Sequence, residues 1–210
     1  MLTAVSSEEQ GNMSVQEFLC QGCGSGGLER LLDLGYQPLC NEFMPAGEAP
    51  GPQMFYPLCV CYCHHCSLTQ LDYVVPRKVA FGDQYTYLTG SSQSLIKYYS
   101  ELANRLVERF DLQAGDTVVE IGSNDGTFLK AFQSLGMDVL GIDGARTSSD
   151  IALADGVPVV QEFFTRELTP IIQKRLRPGS KITLILAMNV LAHTEDVNDF
   201  LTGVTQLMEP

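Results

Sequence analysis

Two cysteine pairs and one acidic, glycine-flanked turn carry the chemistry that can be read from this sequence. Cys20-x-x-Cys23 and Cys63-x-x-Cys66 each put two thiols on one tight knuckle, and two knuckles complete a tetrahedron of thiolates around Zn²⁺. Four sulfur ligands close the coordination sphere, so the role expected of the ion is structural. Reduced core cysteines or a redox pair are the alternatives. The gap between the pairs is longer than in a compact zinc ribbon, which implies strand structure between them. Cys59, Cys61 and Cys63 alternate along "LCVCYC" and share one face of a strand. Cys61 is then either a competitor for the metal or a small buried apolar residue. His64 and His65 lie inside the second knuckle. They are expected to point outward, with replacement of one thiolate as the alternative.

The turn is "VVEIGSNDGTFL", residues 118–129: an apolar strand, Gly122 and Gly126 around three polar residues, then the start of a helix. A dinucleotide fingerprint needs a glycine where Asn124 stands, so that a pyrophosphate can approach the backbone. A phosphate loop needs a lysine, and the turn has none. Glu120 closes the strand with a carboxylate, which repels a pyrophosphate and suits a cationic, amine-bearing ligand. S-adenosylmethionine carries a sulfonium and an amino group and no phosphate. Asp143 closes the next strand, at the distance where an acid grips vicinal ribose hydroxyls. Glu162 is a candidate contact for the adenine amino group, with Phe163 or Phe164 packed on the ring. Taken singly, Asp143 and Glu162 read equally well as solvated loop acids and the phenylalanines as core.

Positioning these residues takes two composition regimes. Every cysteine lies between about 18 and 75, among short apolar runs that make a core too thin to stand unaided. From about Ser92 the chain alternates helix and strand periods: a helix from about Ser92 to Phe110, a strand Thr117 to Ile121, and a helical face from Phe128 ending near Gly136. "DVLGID" is a strand, Ser148 or Ser149 caps a helix stopping at Gly156, and "VPVV" is a third strand. A polar helix around Arg166 to Lys174, the strand-like run "KITLILAMNV" and a helix from Val197 to Met208 follow. This alternation predicts an α/β fold with a Rossmann-like parallel sheet behind a small β-rich zinc-binding module. The expected boundaries are a disordered lead-in at 1–17, the zinc module at 18–75, a linker and helix at 76–112, and the cofactor-binding domain at 113–210. Four strands are few for a doubly wound sheet, which is therefore expected to be truncated.

The formal net charge of −12 opposes nucleic-acid or anionic-membrane partners, since both need a basic footprint. No apolar run approaches a membrane span and no secretory signal opens the chain. A reducing, cytoplasmic setting is expected, where spaced cysteines serve metals more than disulfides.

With both halves read, the chain resembles the sugar C-methyltransferases, which join an N-terminal zinc-binding domain to a methyltransferase domain and methylate C3 of nucleotide-linked keto-deoxysugars. The resemblance rests on Cys20-x-x-Cys23, "LLDLGYQPLCNEF", "YPLCVCYCHHCSLTQL", "YTYLTGSS", "VVEIGSNDGTFL", "VLGIDGA", "VVQEFF" and "AMNVLAHTEDV", in the family's order. It implies that Glu120, Gly122, Asn124 and Asp143 hold the cofactor and that Asn189 lines the methyl-donor side. It also implies that Tyr85 or Tyr87 reaches into the sugar pocket and that His193 sits near the reacting carbon, where sequence alone reads a packing histidine. The partner implied is a small nucleotide-sugar; the oligomeric state is not legible. Similar proteins continue past Pro210 and carry there a Glu-His pair held to supply the base. Two departures concern substrate detail: Gly144 stands where proline is usual, and Tyr98 or Tyr99 where histidine is common. The competing functions are a non-catalytic, zinc-stabilised binding module with a degenerate lobe and, more weakly, a nicotinamide oxidoreductase.

Overall fold

The computed structural model describes residues 18–41, 43, 46–47, 53–82 and 85–208; the lead-in read at 1–17 lies outside them. Strands β1 (Glu29–Pro38), β2 (Phe55–Tyr62) and β3 (Thr69–Leu71) form an antiparallel sheet in chain order. β1 is exposed along its whole length. The buried apolar residues among those described in this module are Cys20, Cys59, Cys61 and Cys63. Its interior is sulfur where an independent domain would have hydrocarbon.

A short helix α1 (Arg77–Ala80) leads to α2 (Gln93–Phe110). Ser92 caps α2, its hydroxyl accepting from the Leu95 N–H, and Asp111 ends it in the left-handed conformation. The alternating segment then folds as the periods predict: β4 (Thr117–Ile121), α3 (Thr127–Ser134), β5 (Asp138–Ile142), α4 (Arg146–Ala154), β6 (Val159–Val160), α5 (Thr169–Arg175), β7 (Ile182–Leu186) and α6 (Val197–Met208). The sheet is parallel with order β6-β5-β4-β7.

Both faces of this sheet are covered, and the period of two along β4 divides the core. Val118 packs with Tyr99, Phe128, Leu129 and Phe132 on the face under α2 and α3. Val119 and Ile121 pack with Ile172, Phe200 and Leu207 on the face under α5 and α6. The result is a three-layer α/β domain of the Rossmann-like kind.

Three local readings need correction. Ser148 and Ser149 do not cap α4; they lie within it, buried, and Ser149 Oγ donates back to the Ala145 carbonyl at 2.9 Å. The tether at the start of α4 is Asp143, whose Oδ1 accepts from the Ala145 N–H at 2.8 Å. The "KITLILAMNV" run is strand only to Leu186, because Asn189 takes φ 56° and turns the chain out of the sheet toward a 3₁₀ turn at Leu191–His193. The helix placed at Arg166–Lys174 begins as a 3₁₀ turn, Arg166–Leu168, and becomes α-helical at Thr169.

Candidate functional site

The order β6-β5-β4-β7 reverses direction between β4 and β7, and a cleft opens at the carboxyl ends of these strands. That is where open α/β sheets bind ligands. Gly122, with φ 71°, makes the closing turn after β4. A Cβ there would stand 2.4 Å from Val190 Cγ2, so the glycine lets the β7 segment close against the turn. Glu120, Gly122, Asn124, Asp143, Glu162, Phe163, Asn189, Tyr85, Tyr87 and His193 all border the cleft. Gly126 lies behind it, against Ala152 and Val157. Phe164 borders the cleft too, but it is a core residue edge-on to Phe200.

Electrostatically the floor is acidic. Glu120 is buried and its Oε2 has no hydrogen-bond partner. Desolvation pushes its carboxyl well above the ordinary carboxylate range, and Asp143 and Asp125 add to the effect. Asp143 is also raised, by burial first, against the lowering effect of the Ala145 and Asn124 N–H groups. These two N–H groups occupy one lone pair on each carboxylate oxygen, at 2.8 Å each, leaving one on each for a diol. A buried carboxylate oxygen without a partner beside an aspartate with a free lone pair on each oxygen offers acceptors for an ammonium and a vicinal diol, groups that S-adenosylmethionine carries; a pyrophosphate would meet repulsion here.

Sequence reasoning missed the way the turn holds a strap across the cleft. The Asn124 side chain accepts from the Thr89 N–H at 2.9 Å and donates to the Tyr87 carbonyl at 3.0 Å. Asp125 Oδ2 accepts from the Gly90 N–H at 2.7 Å, while its Oδ1 takes both Thr127 N–H and hydroxyl. Both side-chain termini of Asn124 are thus engaged by the strap, and Asn124 sits at φ 50°, which asparagine tolerates best after glycine. The strap delivers Tyr85 and Tyr87, with ring centroids 6.3 Å apart. Phe81 bridges Tyr85 and His193 at 5.3 and 5.5 Å, so linker and β7 segment share one aromatic wall. Burial raises the Tyr85 hydroxyl above its ordinary value.

Two further residues were not legible. Arg77, the one Lys or Arg among the described residues bordering the cleft, donates to the Phe164 carbonyl at 3.0 Å and lies 5.5 Å from the Phe163 ring centroid. Its signal was only a basic pair, Arg77-Lys78, after Pro76. Tyr99 rather than Tyr98 faces inward, stacked on Phe128 at 4.5 Å. Gly144 also gains a reason: a Cβ there would lie 2.5 Å from the Phe163 ring, so this ring position excludes any larger residue.

The cysteine knuckles are near-copies. In each, the carbonyl of the first cysteine accepts from the N–H four residues on, and its N–H donates five residues on: Cys20 with Gly24 and Ser25, Cys63 with Ser67 and Leu68. The sulfurs of Cys20 and Cys66 stand 3.5 Å apart and those of Cys23 and Cys63 3.6 Å, with all four within 4.8 Å of one another. A tetrahedral zinc with bonds of about 2.3 Å sets its sulfurs ~3.8 Å apart, so the four fit. Ser25, through hydroxyl and N–H, brings the Cys23 thiol down to about 6. Cys66 has a helpful backbone bond at Leu68, yet burial and the neighbouring sulfurs push it up to about 12. A divalent cation removes that conflict by letting all four ionise. His64 and His65 point outward, and His64 bonds Glu29 at 2.6 Å. Cys61 stands apart from this cluster.

Comparison with known proteins agrees with both halves. Residues 20–81 match a family described as "Putative zinc binding domain", and residues 94–210 match one described as "Methyltransferase domain". The chain belongs to the methyltransferase-domain family. The two-domain order inferred from the motifs is thereby matched. The C-methyltransferase NovU of Streptomyces niveus is 32% identical over 191 residues, which are 91% of this chain and 44% of that protein. The ubiquinone biosynthesis O-methyltransferase of Bartonella tribocorum (strain CIP 105476 / IBS 506) is 28% identical over 93 residues, 44% of this chain and 37% of that one. The chain thus spans less than half the length of the curated relatives it matches. A solved SAM-dependent methyltransferase from Geobacter sulfurreducens, in complex with S-adenosyl-L-homocysteine, overlaps 65% of this chain and 53% of its own at 15% identity and a TM-score of 0.40. Among the described residues of the methyltransferase lobe and its module, no helix is long and apolar enough to cross a membrane.

Proposed function

We propose that the whole protein is an S-adenosylmethionine-dependent C-methyltransferase acting at C3 of a nucleotide-linked keto-deoxysugar through an enolate. In this reading the 210 residues supply its zinc module and methyl-donor lobe. The observation that carries it is the pair of acids at the carboxyl ends of adjacent strands, with Glu120 buried and unpartnered beside Asp143. Similarity to a protein named as a C-methyltransferase across most of this chain supports carbon as the acceptor, and the ordered motifs support the sugar.

Glu120 would receive the amino group of the methyl donor and Asp143 the ribose hydroxyls. Glu162 would contact the adenine amino group and Phe163 its ring, with Asn189 on the methyl-donor side. Bound there, S-adenosylmethionine supplies an electrophilic methyl on sulfonium. A C–H beside a ketone is acidic enough for a placed general base, and the enolate oxygen needs donors in a water-poor site. The Tyr85 and Tyr87 hydroxyls, held by the strap, are fitted to donate there, and His193 lies beside the reacting carbon. The resemblance assigns the base to a Glu-His pair that maps onto no residue of this chain. The residues here therefore bind, orient and stabilise.

The zinc is structural in this reading, since four thiolates leave no open position. It holds the module that leads into the linker from which Arg77, Tyr85 and Tyr87 enter the cleft. A net charge of −12 fits a small-molecule partner in a cytoplasmic setting, away from nucleic acid and anionic membranes. Calorimetric titration of the zinc-loaded chain tests the cofactor assignment, with S-adenosylhomocysteine as ligand and NAD as control. Micromolar binding of the first alone is expected. A folded chain that binds neither overturns it and leaves a zinc-stabilised binding module; one that prefers NAD overturns it in favour of a nicotinamide oxidoreductase.

A further inference from the structure

Cys59 and Cys61 lie outside the four-cysteine cluster, each 2% exposed on the inward face of β2. Their sulfurs are 3.9 Å apart, close to the ~3.8 Å that a tetrahedral ion imposes on two thiolates. The third group beside them is Asp72, which follows β3 and is fixed there by its N–H donating to the Cys59 carbonyl at 3.1 Å. Its two oxygens live differently. Oδ2 takes the Arg30 guanidinium at 3.2 Å, whereas Oδ1 is buried without any hydrogen-bond partner. One sulfur from each cysteine and one carboxylate oxygen all fall within 4.8 Å of one another.

We propose that Cys59, Cys61 and Asp72 form a second metal site that takes Zn²⁺, on the buried face of β2. Two thiolates and a carboxylate carry three negative charges; a divalent ion leaves one, which Arg30 balances across Asp72. The ion supplies the partner that the buried Oδ1 lacks, and so offsets a desolvation that is otherwise uncompensated. Three protein ligands leave the fourth position to water, unlike the neighbouring closed site. Two rival accounts fit less well. As apolar filling, the cysteines would leave the carboxylate oxygen orphaned. As a disulfide, residues two apart on an extended strand put their Cα atoms about 6.6–6.8 Å apart, at the far limit of what the bond spans.

The test is metal stoichiometry of the full chain. It is purified under reducing conditions, loaded with excess Zn²⁺, passed through a desalting column and assayed by elemental mass spectrometry. Two zinc ions per chain are expected for the wild type. One is expected for Cys59→Val/Cys61→Val, and one for Asp72→Asn, which leaves the sulfur core intact and so decides the matter should the double variant fail to fold. Titration with Co²⁺ adds a spectroscopic reading: the variants keep the thiolate charge-transfer bands of the first equivalent and lose the added absorption of the second. One zinc per chain in the wild type overturns the proposal, as do two in the wild type that persist in Asp72→Asn.

Discussion

Glu120 concentrates the conflict between stability and ligand binding in one side chain. Its folded-state carboxyl is raised well above the ordinary range by desolvation, then by Asp143 and Asp125. A raised acid favours the folded state while neutral. That contribution is fully present below the unfolded value of about 4.3 and is lost as pH rises through the folded value. Glu120→Gln is therefore expected to raise the melting temperature of the ligand-free chain at pH 7–8, by about 2–4 °C for each ~1 kcal/mol relieved. The gain should shrink toward pH 4.5, and a paired melting series across pH checks this. The same substitution should weaken S-adenosylhomocysteine binding ~10-fold or more, the order expected for losing a hydrogen bond to a charged group. A variant both less stable at pH 8 and unimpaired in binding would contradict the role given to this carboxylate.

Among the elements, the connection between turn and strap has the clearest consequence. Asp125 is 4% exposed and accepts from Gly90, which lies 35 residues earlier, as well as from Thr127 at the head of α3. Asp125→Ala leaves the Gly90 and Thr127 N–H groups without their partner. A loss of about 2–3 kcal/mol is expected, with faster amide exchange concentrated at 85–91 and α3. Denaturant melts and hydrogen-exchange mass spectrometry read both. Uniform exchange with no excess at the strap would show that Asn124 holds the segment alone. The elements themselves were readable where apolar residues recur at the helical period, as along α2, or run together in a fully buried strand, as in β4 and β5. Reading erred at Ser148 and Ser149, because a serine near a helix start suggests a cap, while here Asp143 tethers that start from the preceding strand.

At the scale of the molecule, the zinc module and the methyltransferase lobe meet through few polar contacts. Asn198 at the start of α6 donates to the carbonyls of Gln21 and Gly22 in the first knuckle, and the Arg77 N–H donates to Glu195. Since the described module buries cysteines in place of hydrocarbon, metal removal should unfold it selectively. Treatment with a zinc chelator under reducing conditions is expected to open 18–75 to protease while 92–208 stays resistant, the latter having cores on both sheet faces. A metal-free chain equally protected in both parts would show that the module does not need its ion.

The sequence by itself determined the two-part architecture, the parallel sheet and a set of acids, glycines and aromatics most of which border the cleft. Period, cysteine spacing and the acid at a strand end are local signals, and they survive without knowing what packs against what. Only the tertiary structure decided which partners those residues have. Asn124 and Asp125 face a strap more than thirty residues away, and Gly144 makes room for Phe163. Arg77 leans on the same ring from the linker, and Asp72 turns one oxygen toward Cys59 and Cys61. Each of these is a contact between segments distant in the chain, and no spacing rule along one strand or helix encodes it.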